Sequence, residues 1–453
     1  MKIVIVGAGE VGFHVASRLS LENKDVVVID KQAEALRRVS ENLDVQTILG
    51  CGSSPVILEQ AGIREADVLL AVTDTDETNL VASLFANILS PTTIKLARIR
   101  SKDYLLYQDT LKHAPYHLDV IINPEDEAVK AVERLLHIPG AVDVGEFADG
   151  RIKLVGVRLE KDCPVAGTRL AELQDKSSKK ILVAAILRDE KLIIPSGEDQ
   201  LQERDLIYFV SAEKELEEAL QLFGKGAEPF KRVLLIGGGN LGLKLAKALE
   251  RHPIHIKLIE KDPDRCKELV KALDKVVVLQ GDGSDEDLLH EENVKDMDVF
   301  VTLTESEETN ILASLLAKRM GANKTITRIS KSSYLPLASA IGLEHVVSSR
   351  LAAVNTILQY VREGKVLSAM TLKGEEAETL EVIAPEASDI VGKPLKQIRF
   401  PRGALVVAII RKEEVTIPSG ESIILPQDRI IIFCTRHSIP WVEKALVVKL
   451  EHV

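Results

Sequence analysis

Cysteine is scarce: four residues, Cys51, Cys163, Cys266 and Cys434, lie scattered over 453 positions. None is spaced for a zinc site or a disulfide framework, so they read as reduced thiols. Long apolar runs are missing as well. The longest, such as 181–187 and 404–410, fall far short of the roughly 20 residues a spanning helix needs. Positive charge is not in excess, since the formal net charge is −11. That balance, with no helix-turn-helix segment, argues against nucleic acid and a nucleotide-sensing repressor. His113 and His117 flank Pro115 without metal-ligand spacing, so no metal is expected. Residues 1–6 read as a sheet strand, and no signal peptide is expected.

What is present is written twice. An apolar strand, Lys2-Ile3-Val4-Ile5-Val6, runs into Gly7-Ala8-Gly9-Glu10-Val11-Gly12. Another, Arg232-Val233-Leu234-Leu235-Ile236, runs into Gly237-Gly238-Gly239-Asn240-Leu241-Gly242. An acid closes the next strand of each copy, Asp30 and Glu260. Strand, glycines, helix, strand and acid form a dinucleotide-binding pattern. The first glycine makes the turn, the second admits a pyrophosphate, and the third lets the helix pack closely. A helix N-terminus then offers free N–H groups and a partial positive charge to phosphates. The acid can accept from ribose hydroxyls and would repel a 2′-phosphate, which favours NAD or NADH over a 2′-phosphorylated cofactor.

The repeat continues. Gly50-Cys51-Gly52-Ser53 matches Gly281-Asp282-Gly283-Ser284 after the third strands, and the segments 73–80 and 304–311 nearly superimpose. Fifth strands near 94–99 and 325–329 each carry an arginine, Arg98 and Arg328, and sixth strands lie near 120–122 and 345–347. Strands alternating with helices predict two Rossmann-like, doubly wound parallel sheets, at 1–123 and 231–348. Each is followed by a small β-rich α+β module, at 140–224 and 366–453, and both modules contain Ile-Pro-Ser-Gly. Helices near 125–137 and 350–363 connect sheet to module, and a Gly-rich joint at 224–229 separates the halves of a tandem duplication. The acids Asp74, Asp76 and Glu77 read mainly as helix-dipole partners of a helix starting near Thr78. Asn79 and Asn310 are candidates either for touching a ligand or for holding a backbone turn.

This ordering, with the glycine loops, the terminal acids and Asn123-Pro124-Glu125, resembles the RCK family, which regulates potassium conductance and uptake. The tandem form is similar to the peripheral regulatory subunits of Trk potassium uptake systems. The resemblance implies a cytoplasmic chain that self-associates as a dimer or tetramer. It would dock on a membrane-embedded Trk potassium transporter subunit and change shape with nucleotide occupancy, NAD/NADH first, with ATP/ADP as further ligands. Carried over by position, Gly7, Ala8, Gly9, Glu10, Val11 and Gly12 would line the phosphates and Asp30 and Lys31 the ribose. Cys51 and Gly52 would meet the adenine, Thr73 and Asp74 the rim, Arg98 the phosphates, and Glu125 a neighbour's nucleotide. The second copy supplies Gly237, Gly239, Asn240, Leu241, Gly242, Glu260, Lys261, Asp282, Gly283, Thr304 and Arg328.

Three departures stand out. Cys51 replaces the family's Asp, Ser348-Ser349-Arg350 replaces Asn-Pro-Glu, and Glu10 and Asn240 stand where triphosphate-binding members carry Arg. A γ-phosphate about 4 Å from Glu10 would cost roughly 1 kcal/mol in water and about 4 kcal/mol when partly buried. The first copy is therefore expected to prefer NAD or NADH to ATP, and the second to be less selective. The rival of another class is an NAD-dependent dehydrogenase. It needs a positioned acid–base beside the nicotinamide, and no such cluster is legible.

Overall fold

The computed structural model describes residues 1–176, 181–189, 191–226, 230–361, 366–372, 377–386 and 388–446. The first sheet is built from β1 (Lys2–Val6), β2 (Asp25–Asp30), β3 (Gln46–Leu49), β4 (Val68–Ala71), β5 (Ile94–Arg98) and β6 (Val120–Ile122). They lie in the order β3-β2-β1-β4-β5-β6, all parallel. β1, β2 and β4 are nearly continuous aliphatic runs because helices cover both faces. The order reverses between β1 and β4, which opens a crevice at the carboxyl ends of those strands.

A five-stranded antiparallel sheet follows, from β7 (Ala141–Phe147), β8 (Ile152–Arg158), β9 (Leu182–Arg188), β10 (Lys191–Ile193) and β11 (Leu206–Ala212), in the order β10-β9-β11-β8-β7. The second half repeats the parallel sheet. Its strands are β12 (Arg232–Ile236), β13 (His255–Glu260), β14 (Val276–Gln280), β15 (Val299–Thr302), β16 (Thr325–Arg328) and β17 (His345–Val347), ordered β14-β13-β12-β15-β16-β17. It then repeats the antiparallel module with β18 (Val366–Thr371), β19 (Ala377–Ile383), β20 (Ala404–Arg411), β21 (Glu414–Thr416) and β22 (Arg429–Thr435), ordered β18-β19-β22-β20-β21. The two modules therefore share one topology.

The chain forms two compact units, and their division does not follow the duplication. One unit contains residues 1–127 and 349–361, the other 128–348 and 362–453. In the first, the helix Ser349–Val361, which leaves the second parallel sheet, buries Ala353, Val354, Ile357 and Leu358 in one core with Val11, Val15, Ala16 and Leu19 of the helix Glu10–Leu21. In the second, Ala128, Val132, Leu135 and Leu136 of the helix Pro124–His137 share a core with Leu241, Leu245 and Leu249 of the helix Asn240–Leu249. Exit helices are thus exchanged between the halves. The helix expected over 350–363 is described to Val361, and residues 362–365 lie outside the described residues, as do 227–229 of the joint. Within the second unit the two modules bury Val142, Phe147 and Tyr208 together with Met370, Val407 and Phe433. Among the described residues, no helix is long and apolar enough to cross a membrane.

Candidate functional site

Each glycine loop is fixed by a neighbour that leaves no room for a side chain. Gly7 and Gly237 adopt φ of +111° and +100°, backbone that an L side chain strains. A Cβ on Gly12 would stand 1.9 Å from the Gly7 carbonyl oxygen, and one on Gly242 2.0 Å from that of Gly237. Gly9 and Gly239 are different, because a Cβ there would meet nothing within 4 Å. They face open space at the N-cap positions of their helices, and neither supplies a side-chain acceptor for the first-turn N–H groups. Other helices of the second sheet domain are capped by Asp262, Asp285 and Ser306. Uncapped donors in an open cradle fit an anion.

The terminal acids hold these cradles. Asp30 accepts from the Ala8 N–H at 2.6 Å and the Gln32 N–H at 2.8 Å. Glu260 accepts from the Gly238 N–H at 2.7 Å and the Asp262 N–H at 2.9 Å. Each carboxylate keeps lone pairs for a ribose hydroxyl. Lys31 and Lys261 follow, both exposed. The side chains of Ala8, Val11 and Leu241 are buried in the cores, so only their backbones can serve the site.

At the third-strand loop, Cβ atoms on Gly52 and Gly283 would lie 2.0 Å from Val6 Cγ1 and Ile236 Cγ2, which presses both loops against the first strands. Asp282 accepts from the Ser284 N–H at 2.9 Å and its hydroxyl at 2.6 Å, and these bonds lower its carboxyl below the usual range. Cys51 takes the same position, with Sγ 3.0 Å from Ser53 Oγ, and the Ser53 hydrogen bonds pull its thiol down. The loop geometry survives the substitution.

At the fourth strand, Asn79 and Asn310 prove to be backbone braces. Asn79 Oδ1 accepts from the Thr73 N–H at 2.9 Å and its hydroxyl at 2.7 Å, while Nδ2 donates to the carbonyls of Thr73 at 3.1 Å and Arg98 at 2.9 Å. Asn310 repeats this with Thr304 and Arg328. The adjoining helix starts at Asp76, two residues before the expected Thr78. The Asp76 carboxylate is buried at that start, accepting from the N–H groups of Arg100 at 2.9 Å and Ser101 at 2.7 Å. Among the described residues no acid cluster could hold a metal ion.

Arg98 Nη2 donates to the Thr73 carbonyl at 2.9 Å and to Asp74 at 3.1 Å, and its Nε is buried without a partner among the described residues. Burial first, then the neighbouring Arg100, pushes its guanidinium below its ordinary value. Arg328 donates to the Leu303 and Thr304 carbonyls at 3.3 and 3.1 Å. Glu125 is half-buried at the start of the helix Pro124–His137, and Asn123 Oδ1 accepts from its N–H at 3.0 Å.

Glu10 is paired with two arginines. It is not an isolated charge, because Arg38 Nη1 lies 2.5 Å from Oε1 and Arg350 Nη1 2.9 Å from Oε2. Burial works against ionisation, but Arg38, Arg350 and His14 together hold the Glu10 carboxyl below its usual range. Asn240 has no such escort: the residues equivalent to Arg38 and Arg350 in the repeat are Glu268 and Glu125. Sequence reasoning missed both arginines. Arg350 lies 340 positions from its partner, and no local pattern marks it.

Two parallel sheets with uncapped glycine cradles, each followed by an antiparallel module, define a tandem RCK fold. The GsuK RCK domain crystal structure superimposes with a TM-score of 0.60 at 18% identity, covering 98% of this chain and 94% of that one. The GsuK channel bound to NAD gives 0.59 at 18% identity over 98% of this chain and 78% of that one. At that identity the likeness carries the fold. A TrkA-N domain model matches residues 3–124 and 233–349, and a TrkA-C domain model matches residues 154–224 and 379–446. The Trk system potassium uptake protein TrkA of Halomonas elongata is 37% identical over 437 residues, 96% of this chain and 95% of its own length. TrkA homolog 1 of Methanosarcina mazei is 38% identical over 451 residues, 98% of this chain and 99% of its own. The chain belongs to the TrkA family of Trk system potassium uptake proteins.

Proposed function

We propose that this chain is the nucleotide-sensing regulatory subunit of a Trk potassium transporter. Each parallel sheet holds an adenine nucleotide, NAD(H) or ATP/ADP, at the carboxyl ends of its strands, and occupancy shifts the conformation that gates transport. The observation that carries this reading is the duplicated cradle, in which an uncapped helix N-terminus, an open face at Gly9 or Gly239 and a loop-holding acid meet at one crevice. The family supports the potassium partner, and a channel of the same fold has been solved bound to NAD. Attachment to the cytoplasmic face would come through the transporter, with two or four chains closing a ring. A regulatory reading is favoured over a dehydrogenase because Asp30, Glu260, Asn79 and Asn310 at the crevices are engaged in holding backbone. None is positioned as a proton donor or acceptor for chemistry.

Binding isotherms for NADH, NAD, ATP and ADP on the purified chain, with sites counted per chain, test the reading. We expect saturable binding in which Gly9→Asp removes one site and Gly239→Asp the other. Failure of all four ligands to bind would overturn it.

A further inference from the structure

Arg350 carries charge that the fold leaves half used. It is 4% exposed, its Nη1 donates to Glu10, and its Nε and Nη2 have no partner among the described residues. A buried guanidinium with idle N–H groups is costly, and such groups mark a place where a ligand completes the network. Its location is specific. Glu10 is the first residue of the helix whose uncapped N-terminus forms the first cradle, and its carboxylate also pairs with Arg38, whose guanidinium lies over the Phe13 ring at 4.2 Å. Glu10 itself is half-exposed. A half-exposed carboxylate thus occupies two arginines at the first turn of the cradle helix.

We propose that Arg350, delivered to the first nucleotide site by the second half of the chain, is a phosphate ligand there, with Glu10 as its stand-in anion. The first site then takes an adenine nucleotide with a free terminal phosphate, a di- or triphosphate, ahead of a dinucleotide. This rests on the glycine loops being nucleotide sites. A terminal phosphate carries nearly two negative charges and three strong acceptor oxygens. It can bridge Arg38 and Arg350 and satisfy more of their N–H groups than the Glu10 carboxylate does. A dinucleotide pyrophosphate has only one charge on each phosphorus and no free end. In the repeat, Asn240 and Glu268 replace Glu10 and Arg38, so the second loop has no acid paired with two arginines; Arg265 there donates instead to the Gly238 carbonyl at 2.8 Å and to Glu268 at 2.6 Å. This reverses the discrimination expected from Glu10 taken alone.

The test uses the full chain with the second site blocked by Gly239→Asp, at a position where an added Cβ meets nothing within 4 Å. Affinities for ATP, ADP, NADH and adenosine are measured for Glu10→Gln and Arg350→Gln. Glu10→Gln frees both guanidinium groups and should tighten ATP and ADP about tenfold, with adenosine unchanged. Arg350→Gln should weaken ATP and ADP by about tenfold or more, again sparing adenosine. If Arg350→Gln does not fold, the sign of the Glu10→Gln effect decides alone. ATP binding that is unchanged or weaker in Glu10→Gln, or an ATP-to-adenosine ratio unmoved by Arg350→Gln, overturns the clamp. Either result leaves the nucleotide site standing so long as Asp30→Ala weakens every ligand. Absence of binding by all four ligands would instead sink the nucleotide reading itself.

Discussion

Lys324 is 7% exposed, yet its ammonium donates to the carbonyls of Leu135 at 2.9 Å and Ala141 at 3.1 Å, with the Phe230 ring 5.4 Å away. It ties the start of β16, an interior strand of the second parallel sheet, to the end of the helix Pro124–His137 and the first strand of the module that follows. Burial pushes its pKa down to about 7 from the ordinary 10.5. Between those two values the unfolded chain binds a proton that the folded chain does not. Stability contributed at this residue therefore rises with pH from about 7 to 10.5, with a limiting slope of roughly 1.4 kcal/mol per pH unit. We expect thermal melting of Lys324→Met to gain less than the parent between pH 7.5 and 9.5, and an equal gain in both would refute the assignment. Nothing near Lys324 in the sequence announces this role, because its acceptors lie 189 and 183 positions away. The same holds for Arg350. The turn at Gly7 and the close helix packing at Gly12 are legible because the geometry that demands them is local, whereas the bond by which Asp30 holds the Ala8 N–H comes from a neighbouring strand and is not part of the motif's reading.

At the scale of elements, the ends of β4 and β5, like those of β15 and β16, are stitched by one fully buried asparagine per sheet. Asn79→Ala would remove the partners of the Thr73 N–H and the Arg98 carbonyl at the floor of the crevice, while the Thr73 carbonyl keeps the Arg98 guanidinium as donor. We expect a loss of roughly 2–4 kcal/mol of stability, with nucleotide binding weakened as Arg98 loses its anchor. A denaturant midpoint and a binding isotherm on the same sample check this, and an unchanged midpoint would show that the brace is dispensable. Parallel strands were readable as aliphatic runs, since both faces are buried, and boundaries moved by only a few residues. The modules were readable only in outline. Asp205 and Asp428 stand just before the matching strands β11 and β22, and these conspicuous acids turn out to accept bidentate bonds from Arg188 and Arg411. That pairing is a tertiary fact hidden from the local pattern. The exchange of exit helices was equally hidden, because an amphipathic helix shows that it has a partner and not which sheet supplies it.

For the whole molecule, the exchange means that neither half of the sequence packs its own core alone. The first sheet is packed by a helix of the second half, and the helix that leaves the first sheet enters the core of the second. Ligand bound at one crevice can therefore bias an element that belongs to the other half of the sequence. It can do so only by binding one arrangement more tightly, and coupling of about 1–3 kcal/mol corresponds to roughly 5–150-fold. The helix Pro124–His137 is the natural carrier on the first side. Asn123 caps its start by accepting from the N–H groups of Glu125 and Asp126, and the Lys324 ammonium holds its end. Glu125, half-buried at that start, is the side chain placed to feel a change at the sheet edge without forming the cradle. We expect Glu125→Ala to leave nucleotide affinity within about threefold of the parent while reducing the nucleotide-dependent change in potassium flux, in vesicles holding the transporter and this chain, by about fivefold or more. Loss of binding in step with loss of the flux response would make Glu125 part of the site. A flux response equal to the parent's would remove this helix from the route between nucleotide and transporter.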